Sequence, residues 1–351
     1  MSGVGRQRRR TETGRSWWPG RRVVPAPIRR AAARAVASRR AAQVERQLST
    51  LARGDQPIVV GPWLGEVGFE LLYWIPFIRW FSERYEIGSE RLIAVSRGGG
   101  AAAWYGALAA RSHDALSFMS PDEFKRRNQD RHDQFGEQKQ IAAASLDEEI
   151  VSFVCRAEGH EVSVLHPSTM YRLFAPYWWG HQPLEWVRRY TRFVPLQPPS
   201  LGGNLPASYT AVKFYFSDCF KDTPGNRAFV DNTIRGLAEE GPVISLSTGV
   251  TVDDHVPCEP DVSAMQGIRH LLTPESNLAV QSAIVAGARR FVGTYGGFAY
   301  LAPLCGVPAV SYYSNPDGFS TRHLDFVRDV LTSKGESDLL QVVGVVNEAS
   351  H

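Results

Sequence analysis

Glu66 and Glu70 stand four residues apart behind a glycine-punctuated turn, "GPWLGEVGFE" (61–70). On a helix that starts by Glu66, both carboxylates share one face near the N-terminus. There each can act as a general base toward a hydroxyl or simply offset the helix dipole. Gly61, Gly65 and Gly68 let the turn fold tightly. His166 closes "EVSVLHP" (161–167). A histidine at a strand end in a cleft can bind a ligand or take a proton, and it can equally be a structural hydrogen-bonding group.

A second constellation lies far along the chain. Thr294-Tyr295-Gly296-Gly297 ends a strand and opens a helix. Free backbone N–H groups at a helix start form an anion seat, and phosphate is its usual guest. The same two glycines also suit a tight turn alone. Lys213, Ser217, Lys221 and Arg227 cluster in "KFYFSDCFKDTPGNR" (213–227). A lysine that faces a core needs a partner or a ligand, and Arg227 in a first helical turn opposes the dipole unless an anion compensates. Thr248 follows another strand, with Asp253 and Asp254 soon after, in place to meet a ribose or a base edge, or to form a solvated turn. Asn277 and Gln281 share a helix face.

Several chemistries are disfavoured. There is no GxGxxG and no Walker lysine, which argues against ordinary dinucleotide or ATP binding. Cys155, Cys219, Cys258 and Cys305 have no CxxC spacing, and the histidines have no metal-ligand spacing, so neither a metal nor a cofactor is expected. Four scattered thiols suit a reducing cytoplasm. No apolar run is long enough to span a membrane, and no secretory signal is visible.

The elements that must position these residues alternate strand and helix. Strands are expected at 58–60, 91–97, 115–120, 161–167, 209–217, 242–248, 290–295, 308–314 and 339–346. A nearly all-apolar helix, kinked by Pro76, is expected over 67–85. "PLQPPSLGGNLP" (195–206) is the clearest linker. The pattern predicts an α/β fold of two doubly wound, Rossmann-like domains facing a cleft, over 54–200 and 201–351. They follow a basic tail over 1–53, disordered to about residue 26 and helical after it.

The net charge of +3 conceals an asymmetry. Residues 1–53 carry 14 arginines, no lysine and two glutamates, whereas the remaining 298 residues carry a net −9. The tail reads either as a peripheral contact with anionic membrane or as a solvated segment. The acidic body offers no groove that would match a nucleic acid.

With these residues in view, the chain resembles the GT-B glycosyltransferase superfamily, in its bacterial heptosyltransferase and fucosyltransferase branches. "VVGPWLGEVGFELLYWIPFIRWF" is similar to their first strand, glycine loop and helix, and "FVGTYGGFAYLAPLCGVPAVSYYS" to their late segment at the donor diphosphate. "YTAVKFYFSD" is similar to the opening of their second domain. Thr294-Tyr295 stand where heptosyltransferases have an acidic and a small residue, and the fucosyltransferases' Arg-containing motif has no clear counterpart. The resemblance implies metal-independent transfer of a sugar from a nucleotide-sugar donor to a glycan or lipid-linked acceptor. Glu66, Glu70 and His166 would then be catalytic candidates, and Gly65 and Gly68 would belong to the acceptor-side loop. Lys213, Ser217, Arg227, Thr248, Thr294, Tyr295, Gly296 and Gly297 would bind the donor. A sugar-nucleotide epimerase, a polysaccharide pyruvyl transferase and a non-catalytic envelope-assembly partner are the alternatives.

Overall fold

A 28-residue helix, α1 (Ala26–Arg53), opens the described chain; the computed structural model describes residues 26–135, 139–201, 205–247, 256–258 and 265–345. Alanine and arginine favour this helix throughout. The first α/β half then runs β1 (Ile58–Val60), α2 (Val67–Phe69), a π-helical segment (Glu70–Trp74), α3 (Ile75–Tyr85), β2 (Leu92–Ser96) and α4 (Gly100–Trp104). It continues through β3 (Arg111–Asp114), α5 (Pro121–Phe135), α6 (Ser145–Glu158), β4 (Ser163–Leu165), α7 (Ser168–Trp178) and α8 (Glu185–Arg188). Its four strands pair in parallel in the order β3-β2-β1-β4.

The second half runs β5 (Thr210–Lys213), β6 (Tyr215–Phe216), α9 (Pro224–Glu240), β7 (Val243–Ser245), β8 (Val256–Pro257), β9 (Met265–Gly267) and α10 (Asn277–Ala286). Then come β10 (Arg290–Thr294), α11 (Gly297–Leu304), β11 (Ala309–Tyr313), α12 (Thr321–Ser333) and β12 (Leu340–Gly344). Six strands pair in parallel in the order β12-β11-β10-β5-β7-β9, and β6 pairs antiparallel with β8. Val59, Val212 and Val292 are buried on their sheets, as strands covered on both faces require. This is the expected architecture of two parallel-sheet α/β halves.

Three local readings need correction. The third strand is not 115–120 but Arg111–Asp114 just before it, because the Asp114 carboxylate accepts from Leu116 N–H and turns the chain there. The apolar helix over 67–85 is not one continuous α-helix disturbed at Pro76: it widens upstream into the π segment. Ile75 N–H reaches back five residues to the Glu70 carbonyl, and Pro76, which has no N–H to donate, opens α3. The helix of the basic tail, read as lipid-facing or solvated, also packs on the body. Ala37, Ala41, Val44 and Leu48 form one buried face along its second half, against α7 and α3. Glu45 anchors this contact by accepting from the Tyr190 hydroxyl at 2.8 Å. No helix among the described residues is long and apolar enough to cross a membrane.

Candidate functional site

The carboxyl ends of the two sheets meet across a cavity of about 1160 Å³. Both glycine loops reach it: Gly65 to Gly68 after β1, and Gly296-Gly297 after β10. They also touch each other. A Cβ on Gly297 would lie 2.7 Å from Gly68 N, and one on Gly68 would lie 3.1 Å from Gly297 Cα. One on Gly296 would lie 1.8 Å from the Tyr215 hydroxyl. Gly68 and Gly297 therefore let the two halves close on one another, Gly296 makes room for Tyr215 within the second half, and the half-buried backbone of Gly296 and Gly297 remains toward the cavity.

A buried polar scaffold holds the first loop. The Gln140 amide accepts from Leu64 N–H at 2.9 Å and donates to the Pro62 carbonyl and to Asp147. Arg97, just after β2, donates to the Gly65 carbonyl at 2.6 Å, and the Trp63 indole donates to the Glu66 carbonyl. Glu66 is exposed, and it lines the cavity at the start of α2. Glu70, one turn on, is fully buried and does not line it. Glu70 accepts from the Tyr105 hydroxyl at 3.0 Å, and burial pushes its carboxyl up to about 7. The two carboxylates thus have different surroundings: one faces the cavity and the other is enclosed beside Ser96 and Arg97.

His166 also stands behind the loop rather than in the cavity. Its Nδ1 accepts from Ser168 N–H at 3.1 Å, and its Nε2 lies 3.4 Å from an Asp147 carboxylate oxygen. Ser168 is the first residue of α7 and Pro167 stands at its N-cap, so no side chain caps the helix there and the His166 imidazole takes one of its free N–H groups.

On the opposite wall, Lys213 ends β5 at the cavity. Its ammonium donates to the Gln281 amide oxygen and lies 4.0 Å from the centre of the Phe298 ring. Gln281 in turn donates to Asn277 at 2.6 Å, so these two helical neighbours do share one face. Ser217 lines the cavity, with Lys221 and Ser247. Thr294 does not. Its hydroxyl donates to the Tyr215 carbonyl and accepts from Tyr215 N–H, which ties β10 to β6. Arg227 also stands apart, in an exposed bidentate pair with Asp222 at 2.6 Å on both arms. That carboxylate supplies the anion its helix position called for. Tyr295 is a buried wedge: its hydroxyl bonds Tyr300 at 2.7 Å and its ring packs 4.7 Å from Phe319. Thr248, Asp253 and Asp254 lie outside the described residues.

Many cavity residues escaped the sequence reading, among them Lys125, Arg126 and Asp130 of α5, and two matter most at the strand ends and the aromatic wall. Arg97 follows a strand directly, so the carboxyl-end rule that drew attention to Lys213 applies to it equally. His323 comes from α12, a helix with no motif to mark it, and reaches the cavity only through the way the halves pack. Among the described residues, no group of three His, Cys, Asp or Glu side chains is placed to hold a metal ion.

No known family model matches the sequence, and no curated protein is significantly similar to it. Among solved structures, the chain is similar to the ADP-heptose LPS heptosyltransferase II of E. coli. The identity is 10% and the TM-score 0.43, over 83% of this chain and 91% of that one. It is also similar to the iron-containing dodecameric glycosyltransferase TibC of enterotoxigenic E. coli H10407. There the identity is 10% and the TM-score 0.38, over 74% of this chain, which spans 58% of TibC. A putative UDP-N-acetylglucosamine 2-epimerase from Listeria monocytogenes matches at 9% identity and a TM-score of 0.30, over 82% of this chain and 91% of that one.

Proposed function

We propose that this protein is a glycosyltransferase that moves a sugar from a nucleotide-activated donor to a cell-envelope or polysaccharide acceptor. One observation carries the reading: a single cavity between two parallel sheets has an exposed carboxylate, Glu66, on one wall and a lysine, Lys213, on the other. In open α/β sheets, ligands bind at the carboxyl ends of the strands, and here both sets of ends face the same space.

In this reading the second half seats the donor. Lys213, Ser217, Lys221 and the backbone at Gly296-Gly297 face its diphosphate. Breaking the bond from the anomeric carbon leaves charge on the departing phosphate, and a positioned cation and N–H groups stabilise it without a metal. Glu66 takes the proton from the attacking acceptor hydroxyl. The arginines of α1 rest on anionic lipid near a membrane-bound acceptor.

A thermal-shift screen against nucleoside diphosphates, with and without magnesium, tests the reading. At least one should stabilise the chain without magnesium, by roughly 2–3 kcal/mol at 100 times its dissociation constant. If none does, the reading is wrong. With a donor in hand, Glu66→Gln should cut transfer roughly 100-fold or more and leave nucleotide affinity unchanged; normal turnover would remove Glu66 from the chemistry. Binding to phosphatidylserine vesicles, lost when Arg29, Arg30, Arg34 and Arg39 become glutamine, checks the lipid contact. Equal binding by both proteins would count against it.

A further inference from the structure

One wall of the cavity is aromatic, with Phe69, Tyr73, Tyr300 and Phe319 facing it beside His323. The His323 ring centre lies 4.8 Å from that of Phe69 and 5.6 Å from that of Tyr73. Its Nδ1 is 2.7 Å from the Tyr73 hydroxyl oxygen. Tyr73 is fully buried, and a buried phenol needs an acceptor for its proton. Two groups face the hydroxyl, His323 Nδ1 and the Trp178 indole; an indole N–H can only donate, which leaves Nδ1 to take the phenol proton. Tyr73 therefore donates and Nδ1 accepts. In a neutral imidazole the proton then sits on Nε2. Nδ1 is taken by Tyr73 and the ring lines the cavity, which leaves the Nε2–H for a ligand there. The ring stays neutral. Burial, and then the nearby Lys139 ammonium held 5.5 Å from the Phe69 ring centre, lower its pKa to about 4.

We propose that His323 is a fixed, uncharged hydrogen-bond donor that binds a sugar oxygen in the cleft, with its tautomer set by Tyr73. The ligand class rests on the transferase reading; the tautomer does not. Aromatic rings accept the apolar face of a pyranose, and a neutral N–H meets a hydroxyl or ring oxygen without the cost of desolvating a cation. His323 is thus a binding residue, and Tyr73 a positioning residue that acts through it. With its proton on Nε2, His323 cannot also serve as a base at that atom.

The test uses the full chain with 15N-labelled histidine. Two-bond 1H–15N correlation, with His323 assigned by its loss in His323→Gln, should show the Nε2–H form, unchanged between about pH 5.5 and 8. Glucose, mannose, galactose and N-acetylglucosamine are then titrated in turn. At least one should shift the His323 Nε2 signal saturably. His323→Gln, which can still accept from Tyr73 and donate to the cavity, should bind that sugar within about threefold of wild type. His323→Leu should bind it roughly tenfold more weakly. Tyr73→Phe should mix the tautomers and weaken binding about twofold or more. An Nδ1–H form, titration near the ordinary value of about 6.5, or no response to any of the four sugars would overturn the proposal. Movement of the signal by nucleoside diphosphates alone would overturn it as well. If no nucleotide stabilises the protein but the tautomer and the sugar shift are found, the transferase reading fails and the role of His323 stands.

Discussion

Glu66 and Glu70 stand four positions apart, and that spacing gives them different chemistry. Glu66 stays at the cavity, while the helix carries Glu70 inward until burial raises its carboxyl from 4.5 to about 7. The consequence for stability has a definite sign. Between those two values the folded chain holds a proton that the unfolded chain has released, so stability falls as pH rises through that window and levels off above it. The full loss is on the order of 3 kcal/mol. Glu70→Gln keeps an acceptor for Tyr105 and cannot ionise. Denaturant melts should show it about 2–3 kcal/mol more stable than wild type at pH 8 and nearly equal at pH 5; an equal gain at both would show that ionisation is not involved. The sequence made the i, i+4 pairing of these carboxylates visible but not which one is enclosed, because enclosure depends on Ser96, Arg97 and Tyr105, which arrive from elsewhere in the chain. Arg227 is a similar case. Its misfit with the helix dipole was legible, and the partner that resolves it, Asp222, lay five residues away.

Among the elements, the two glycine loops share one task. Gly68 lies in the first turn of the helical run after β1, Gly297 begins α11, and their backbones meet. The need for glycine at Gly296 and Gly297 was plain in the sequence, and the reason was not: the neighbours are Tyr215, Val67 and Gly68, which no local pattern connects. Gly297→Ala tests this directly. Its methyl would press on Gly68 N at 2.7 Å, so calorimetry should show a loss of roughly 1–3 kcal/mol even without ligand. Lys213→Met should do the reverse, leaving the melting temperature within a few degrees of wild type while weakening nucleotide binding tenfold or more. Unchanged stability in Gly297→Ala would return the glycine pair to a ligand role alone. The π segment was beyond sequence reading for a related reason. A proline within an apolar helix announces a disturbance, and whether the chain kinks or widens depends on which neighbours hold each turn.

For the whole molecule, the halves are joined by more than the cavity rim. The Leu196 N–H bonds the Leu304 carbonyl at 2.8 Å, Leu278 N–H bonds Gly98 at 2.6 Å, and the Trp104 indole bonds Ser282 at 2.8 Å. The largest hydrophobic core runs unbroken from Ile58 and Trp74 in the first half to Phe291 and Leu301 in the second. Helix α12 is central to it. Although it leads into β12 of the second sheet, it stacks Phe326 on Tyr73 at 5.3 Å, and its Arg322 carbonyl accepts from the Tyr177 hydroxyl at 2.7 Å. Alternation and a linker made two α/β halves legible; this shared core was not, because contacts between halves have no periodicity in either. A shared core makes the halves melt together. Phe326→Ala removes a fully buried ring and should cost about 3–5 kcal/mol. Hydrogen exchange should then report faster opening at β1 and at β10 to the same degree. Faster exchange at β10 with β1 unchanged would mean that the halves are energetically separate and that α12 stabilises only its own sheet.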